Sequence, residues 1–86
     1  MPESEIDNLM ETAVRHHDHG ELKAAAVMCR DILNRAPAHA DALNLLGSIL
    51  ADAGNFDQAV HLLSDALVSG GANPAVLFNY GVALAG

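Results

Sequence analysis

Three histidines and an aspartate stand together at His16-His17-Asp18-His19, the part of this 86-residue chain best suited to coordination chemistry. Imidazole and carboxylate groups suit zinc or nickel, and a structural zinc site takes four ligands. The spacing works against a shared ion. Adjacent side chains at a helix end diverge, and His16 is expected to turn inward between two helices. His39 and His61 lie too far away in the repeat to complete a set. The expectation is no metal and no cofactor, with His16, His17 and His19 as weak metal candidates. Cys29 falls on an apolar helix face and reads as a small core residue rather than a redox centre. No serine or cysteine has an identifiable base beside it, and no glycine-rich loop follows a strand. No catalytic constellation results, and the chain is not expected to be an enzyme.

The elements that carry these residues repeat. Sliding the chain until Leu9 falls on Leu43 also brings Leu43 onto Leu77. Asp7 falls on Asp41, Asp18 on Asp52, Gly20 on Gly54, Ala25 on Ala59, Gly47 on Gly81 and Leu50 on Leu84. Of the 52 overlapping pairs, 12 are identical, and they sit where helix packing needs them. A period of about 34 residues, built from two short helices, points to a solenoid. Each hairpin then buries its apolar face against its neighbours, leaving a broad concave surface. Such a surface binds; it is not a reaction pocket.

Composition fits one small domain. Hydrophobic residues make up 51% of the chain, mostly Ala, Leu and Val, whereas aromatics make up 3%, which suits closely packed helices. The net charge is −7, with only four Lys and Arg, so a nucleic acid would be repelled. The acidic balance favours a basic or neutral partner. One cysteine cannot form an internal disulfide, which fits a reducing compartment. The start, Met1-Pro2-Glu3-Ser4-Glu5, lacks the basic and apolar regions of a secretory signal. No apolar run is long enough to cross a membrane, so no membrane partner is expected and the cytoplasm is the expected location.

Five helices are predicted. The first runs from about Ser4, a candidate N-cap, to His17, and Asp18-His19-Gly20 ends it. The second runs from about Glu21 to Arg35, stopped by Pro37. The third spans about Ala40 to Ala53, the fourth about Phe56 to Val68. Ser69 to Pro74 reads as the clearest break, with Asn73 capping a fifth helix from Pro74 to about Ala85.

The middle period carries Leu43, Leu46-Gly47, Leu50, Gly54-x-Phe56, Ala59, Leu63 and Ala66-Leu67. This pattern resembles the tetratricopeptide repeat. Gly47 and Ala59 are small enough for the two helices of a hairpin to approach closely. The first period is looser, with Leu9, Ala13, Gly20-x-Leu22, Ala25, Leu33 and Pro37, but Thr12 and His16 where the pattern wants bulky apolar residues. In the middle period Gly71 replaces the closing proline. The resemblance implies an all-α right-handed superhelix of about two and a half repeats. Their bounds are about 6–39, 40–73 and, for a first helix alone, 74–86.

In this family partners lie in the concave groove lined by the first helix of each repeat. The matching positions are Asp7, Met10, Val14, His17 and Asp18, then Asp41, Asn44, Ser48 and Asp52. Phe78, Asn79 and Val82 follow, with Phe78 and Val82 as an apolar floor at one end. The resemblance implies a protein or peptide ligand, and the four aspartates favour one carrying lysine or arginine. The alternative reading of those aspartates is that they are solvated and cap helices. No lysine or arginine occupies the positions of the family's carboxylate clamp, so capture of a peptide C-terminus is not expected. Asn79 matches the backbone-gripping asparagine of glycosyltransferase repeats, but its period mates are Glu11 and Leu45, so no ladder is expected.

The last helix carries little polarity besides Asn79 and the Tyr80 hydroxyl. Exposed apolar surface of this kind implies either a longer parent protein or contact with a second copy. Two further functions stay open beside the groove. One is self-association through Leu77, Phe78, Tyr80 and Val82. The other is service as the recognition arm of a larger glycosyltransferase or methyltransferase.

Overall fold

A computed structural model describes residues 2–70 and 73–86, with side chains from Glu5 onward. The element order is α1 (Pro2–Asp18), α2 (Leu22–Arg35), α3 (Ala40–Asp52), α4 (Phe56–Gly70) and α5 (Pro74–Ala85). The helices stack as two antiparallel hairpins, α1–α2 and α3–α4, with α5 laid against the second. The fold is all-α, as its sequence pattern implies.

The two hairpin turns are the same turn, one period apart. At the first, the Glu21 N–H reaches the His16 carbonyl at 2.8 Å and the Gly20 N–H reaches that of His17 at 3.0 Å. At the second, Asn55 reaches Leu50 at 2.8 Å and Gly54 reaches Ala51 at 3.0 Å. This double closure needs a left-handed residue after the helix, and Gly20 and Gly54 supply it with φ of 77° and 85°. The helix starts also correspond. Asn73 accepts from the Ala75 N–H at 2.8 Å ahead of Pro74. Its period mate His39 does the same work for α3, its Nδ1 accepting from the Ala42 N–H at 3.1 Å.

Helix bounds differ from expectation in two places. Helix α1 begins at Pro2, so Ser4 lies inside it rather than capping it. Helix α4 runs on through Ser69 and Gly70, which read as loop in the sequence. Gly70 is what allows this, since a Cβ there would stand 2.8 Å from the Ala40 Cβ. The substitution of Gly71 for the closing proline lies outside the described residues.

Helix α3 is the centre of the core: Ala42, Leu43, Leu46, Gly47, Ile49, Leu50 and Ala51 are all buried. Against it α4 brings Ala59, Leu63 and Ala66, each with no exposed surface. Close approach at the seam rests on Gly47, where a Cβ would fall 2.7 Å from the Leu63 Cγ. The same two positions in the first hairpin hold Ala13 and Cys29, both fully buried. One hairpin therefore pairs glycine with leucine, and the other pairs alanine with the smaller cysteine. Burial pushes the Cys29 thiol up to about 11, partly opposed by Arg30, so it is an unreactive packing group.

The open end of the first hairpin is tied by charge. Arg35 donates to Glu5 at 2.6 Å and to Asp31 at 3.4 Å, and those carboxylates hold its guanidinium still more firmly protonated. Among the described residues no polar side chain is buried.

Candidate functional site: the concave groove

Helices α1, α3 and α5 line the concave side. Because residues four apart share a helix face, Met10 and Val14 stand one above the other on α1, as do Asn44 and Ser48 on α3. Between these stripes run two adjoining hollows that share Met10, Val14 and Asp41. The larger, about 660 Å³, is completed by Asp7, Glu11, Arg15 and His39. The smaller, about 360 Å³, is completed by His17, Asn44, Leu45, Ser48 and Asn79. The floor is apolar, with Val14 41% exposed at its centre, and the walls are polar.

Asp7 and Asp41, matched by the period, do face one hollow. Asp18 and Asp52 sit at the C-terminal ends of α1 and α3, exposed and outside both hollows. Phe78 and Val82, 71% and 45% exposed, line neither hollow, and Asn79 stands in the wall of the smaller one. Asn79 donates to the Asn44 Oδ1 at 2.9 Å, joining α5 to α3 across the groove wall. Its period mate on α3 is Leu45, which offers no hydrogen bond. The bond instead runs diagonally, to the residue before Leu45.

Arg15, Glu11, His39 and Leu45 were not foreseen as lining residues. Glu11 and Arg15 follow Asp7 at successive four-residue steps, so they flank the predicted stripe and widen it by one lane. Arg15 also places a cation at the rim of a surface read as purely acidic.

The histidine cluster separates. His16 is half-buried, and its Nδ1 lies 2.9 Å from Glu21 Oε1 at the start of α2, across the Gly20 turn. His17 lines the smaller hollow, with Asp18 Oδ1 at 3.8 Å, and His19 is exposed. Among the described residues no three His, Cys, Asp or Glu side chains gather as a metal site would need.

On α5, Leu77 is 47% and Leu84 59% exposed, and they join Phe78 and Val82 in a continuous uncharged surface. Tyr80, by contrast, is half-buried and packs against the core. Among the described residues no helix is long and apolar enough to cross a membrane.

The profile of the tetratricopeptide repeat matches residues 16–84. No curated protein matches the chain. Among solved structures it is similar to a mutant of the Thermobaculum terrenum O-GlcNAc transferase, with a TM-score of 0.95 and 27% identity. That likeness covers 98% of this chain and 16% of the other, so the chain spans a small part of the enzyme's length. Matched over most of its length and built of hairpins stacked at a regular period, the chain belongs to the tetratricopeptide repeat family, whose repeats mediate protein–protein interaction.

Proposed function

We propose that this chain is a non-catalytic binding module that holds a protein segment in its concave groove. The observation that carries the reading is the pair of adjoining hollows. Asp7 and Asp41 face an apolar floor of Met10 and Val14, and the coupled Asn44 and Asn79 stand at the far end. An apolar floor takes the side chains of a bound segment. Each of the two amides keeps donors or acceptors beyond its mutual bond, and these suit a peptide backbone. The two carboxylates favour lysine or arginine on the ligand, and Arg15 at the rim favours an acidic residue at one end.

A set of peptides differing only in charge tests this. Lysine-bearing peptides should bind in the groove, weaken as salt rises, and weaken with Asp7→Asn plus Asp41→Asn. Peptides that bind equally well with lysine or glutamate, unmoved by salt, would overturn it.

A second reading is the recognition arm of a larger enzyme. It is favoured by the likeness to a glycosyltransferase of which this chain matches a minor part. Self-association through Leu77, Phe78 and Val82 is favoured by their exposure. Light scattering across concentration separates it from groove binding. Cytoplasmic location is part of the proposal, resting on the free, buried Cys29.

A further inference from the structure

His39 has two roles at one place. Its Nδ1 caps α3 by accepting from the Ala42 N–H at 3.1 Å, and its half-buried ring lines the larger hollow of the groove. An accepting nitrogen carries no proton, so the bond belongs to the neutral ring, with its hydrogen on Nε2. Protonation makes both ring nitrogens donors. The Nδ1–H would then face the Ala42 N–H, and a positive ring would stand at the positive end of α3. The cap cannot survive that change, and the ring must turn.

The hollow holds what a charged ring would turn to. Asp7 and Glu11 of α1 and Asp41 of α3 line it together with His39, opposed by one cation, Arg15. No titratable group of α2 or α4 lines it, and Arg35 at the end of α2 is held by Glu5 and Asp31. His16, His17 and His61 each have a carboxylate beside them. Among the described residues His39 has no such partner, although three carboxylates share its hollow. At the matching place before α5 the cap is Asn73, whose amide does the same work and does not titrate.

We propose that His39 is a proton switch on the groove. Neutral, it caps α3 and leaves Asp7 and Asp41 open to a cationic ligand. Protonated, it quits the cap and takes those carboxylates for itself, so a bound cationic segment is released on mild acidification. The ligand part rests on the reading of the groove given above; the capping part does not. Imidazole changes charge between about pH 5 and 8, a range through most of which ordinary carboxylates stay ionised. His17, which lines the smaller hollow, is the other groove histidine and has to be controlled for.

The capping part is read without ligand, by nuclear magnetic resonance of the isotope-labelled chain. The ring should be the Nε2–H tautomer at about pH 8. On titration to about pH 5.5 the Ala42 amide should shift with the same midpoint as the His39 ring. The ligand part is read with a lysine-bearing peptide free of histidine and acidic residues, titrated at both pH values into the His17→Gln chain. Its affinity should fall by roughly threefold or more on acidification, the scale of one exposed charge pair. Adding His39→Asn keeps a capping side chain and should abolish that fall. Circular dichroism at both pH values checks that each variant is folded. An Ala42 amide that stays put while the His39 ring titrates would overturn the proposal. So would a fall in affinity that His39→Asn leaves intact. If the peptide binds at neither pH while the Ala42 amide moves with the ring, the groove reading fails and the capping switch stands.

Discussion

Gly47 and Gly81 occupy the same place in their helices, one period apart, and meet different surroundings. Over Gly47 the leucine of α4 is so close that a single added carbon would collide with it. Over Gly81 there is open space. The flanking leucines follow suit, buried on α3 and about half exposed on α5. A repeated sequence therefore specifies the shape of a surface. Whether that surface becomes core depends on the helix laid against it. The comparison also explains why composition alone misleads here: α5 is the least polar helix of the chain and among its most exposed.

The sharpest way to break the comparison is to truncate the matching leucines. Leu43→Ala should cost about 2–5 kcal/mol, the usual loss for a leucine in a packed core. Leu77→Ala, at a half-exposed position, should cost less than about 1 kcal/mol. Urea unfolding measures both, and equal losses would mean that α5 is covered in solution. Next come the glycines. Gly47→Ala should destabilise by about 1–3 kcal/mol through overpacking. Gly81→Ala should instead stabilise by about 0.5–1 kcal/mol, because alanine favours an unobstructed helix. Thermal melts of the two variants should therefore move in opposite directions.

The bond that ties α5 to α3 gives a smaller effect. Asn79→Ala and Asn44→Ala should each cost about 0.5–1.5 kcal/mol, and the double variant should cost less than their sum. An additive result would show that the two amides do not interact. The last comparison is between Leu63 and its period mate Cys29, and at neutral pH it has no effect on stability. The thiol pKa is raised to about 11 in the folded chain against 9.0 unfolded, so unfolding favours the thiolate. Stability should be flat below pH 9 and fall between about 9 and about 11. A thiol reagent at pH 8 should label the chain only after denaturant is added.

The period, the helices and the two glycine turns were legible because each rests on local chemistry. Positive φ demands Gly20 and Gly54, and Pro74 follows its cap. The small residues at 47 and 59 were legible because close helix packing leaves no alternative. Other features depend on geometry that single residues do not announce. Histidine is not among the usual capping residues, so His39 at the start of α3 went unread although its period mate Asn73 was recognised. Ser69 and Gly70 have the composition of a turn, yet Ala40 across the seam makes a glycine useful inside α4. The stripe read along α1 was too narrow: it left out Glu11 and Arg15, which line the hollow beside Asp7. Asn79 was weighed only against its period mates, whereas neighbouring helices meet at a diagonal offset.

Helix α3 packs against every other helix of the chain, and every other pair that packs is adjacent in sequence. Contacts of such short range close small loops, the condition under which chains fold fastest. Amides of α3 should accordingly exchange with solvent only when the whole chain opens, while those of α5, held on one side, exchange through local opening well before. The order of release runs inward from the C-terminal helix, and the last hydrogen bonds to let go are those around Leu46 and Gly47.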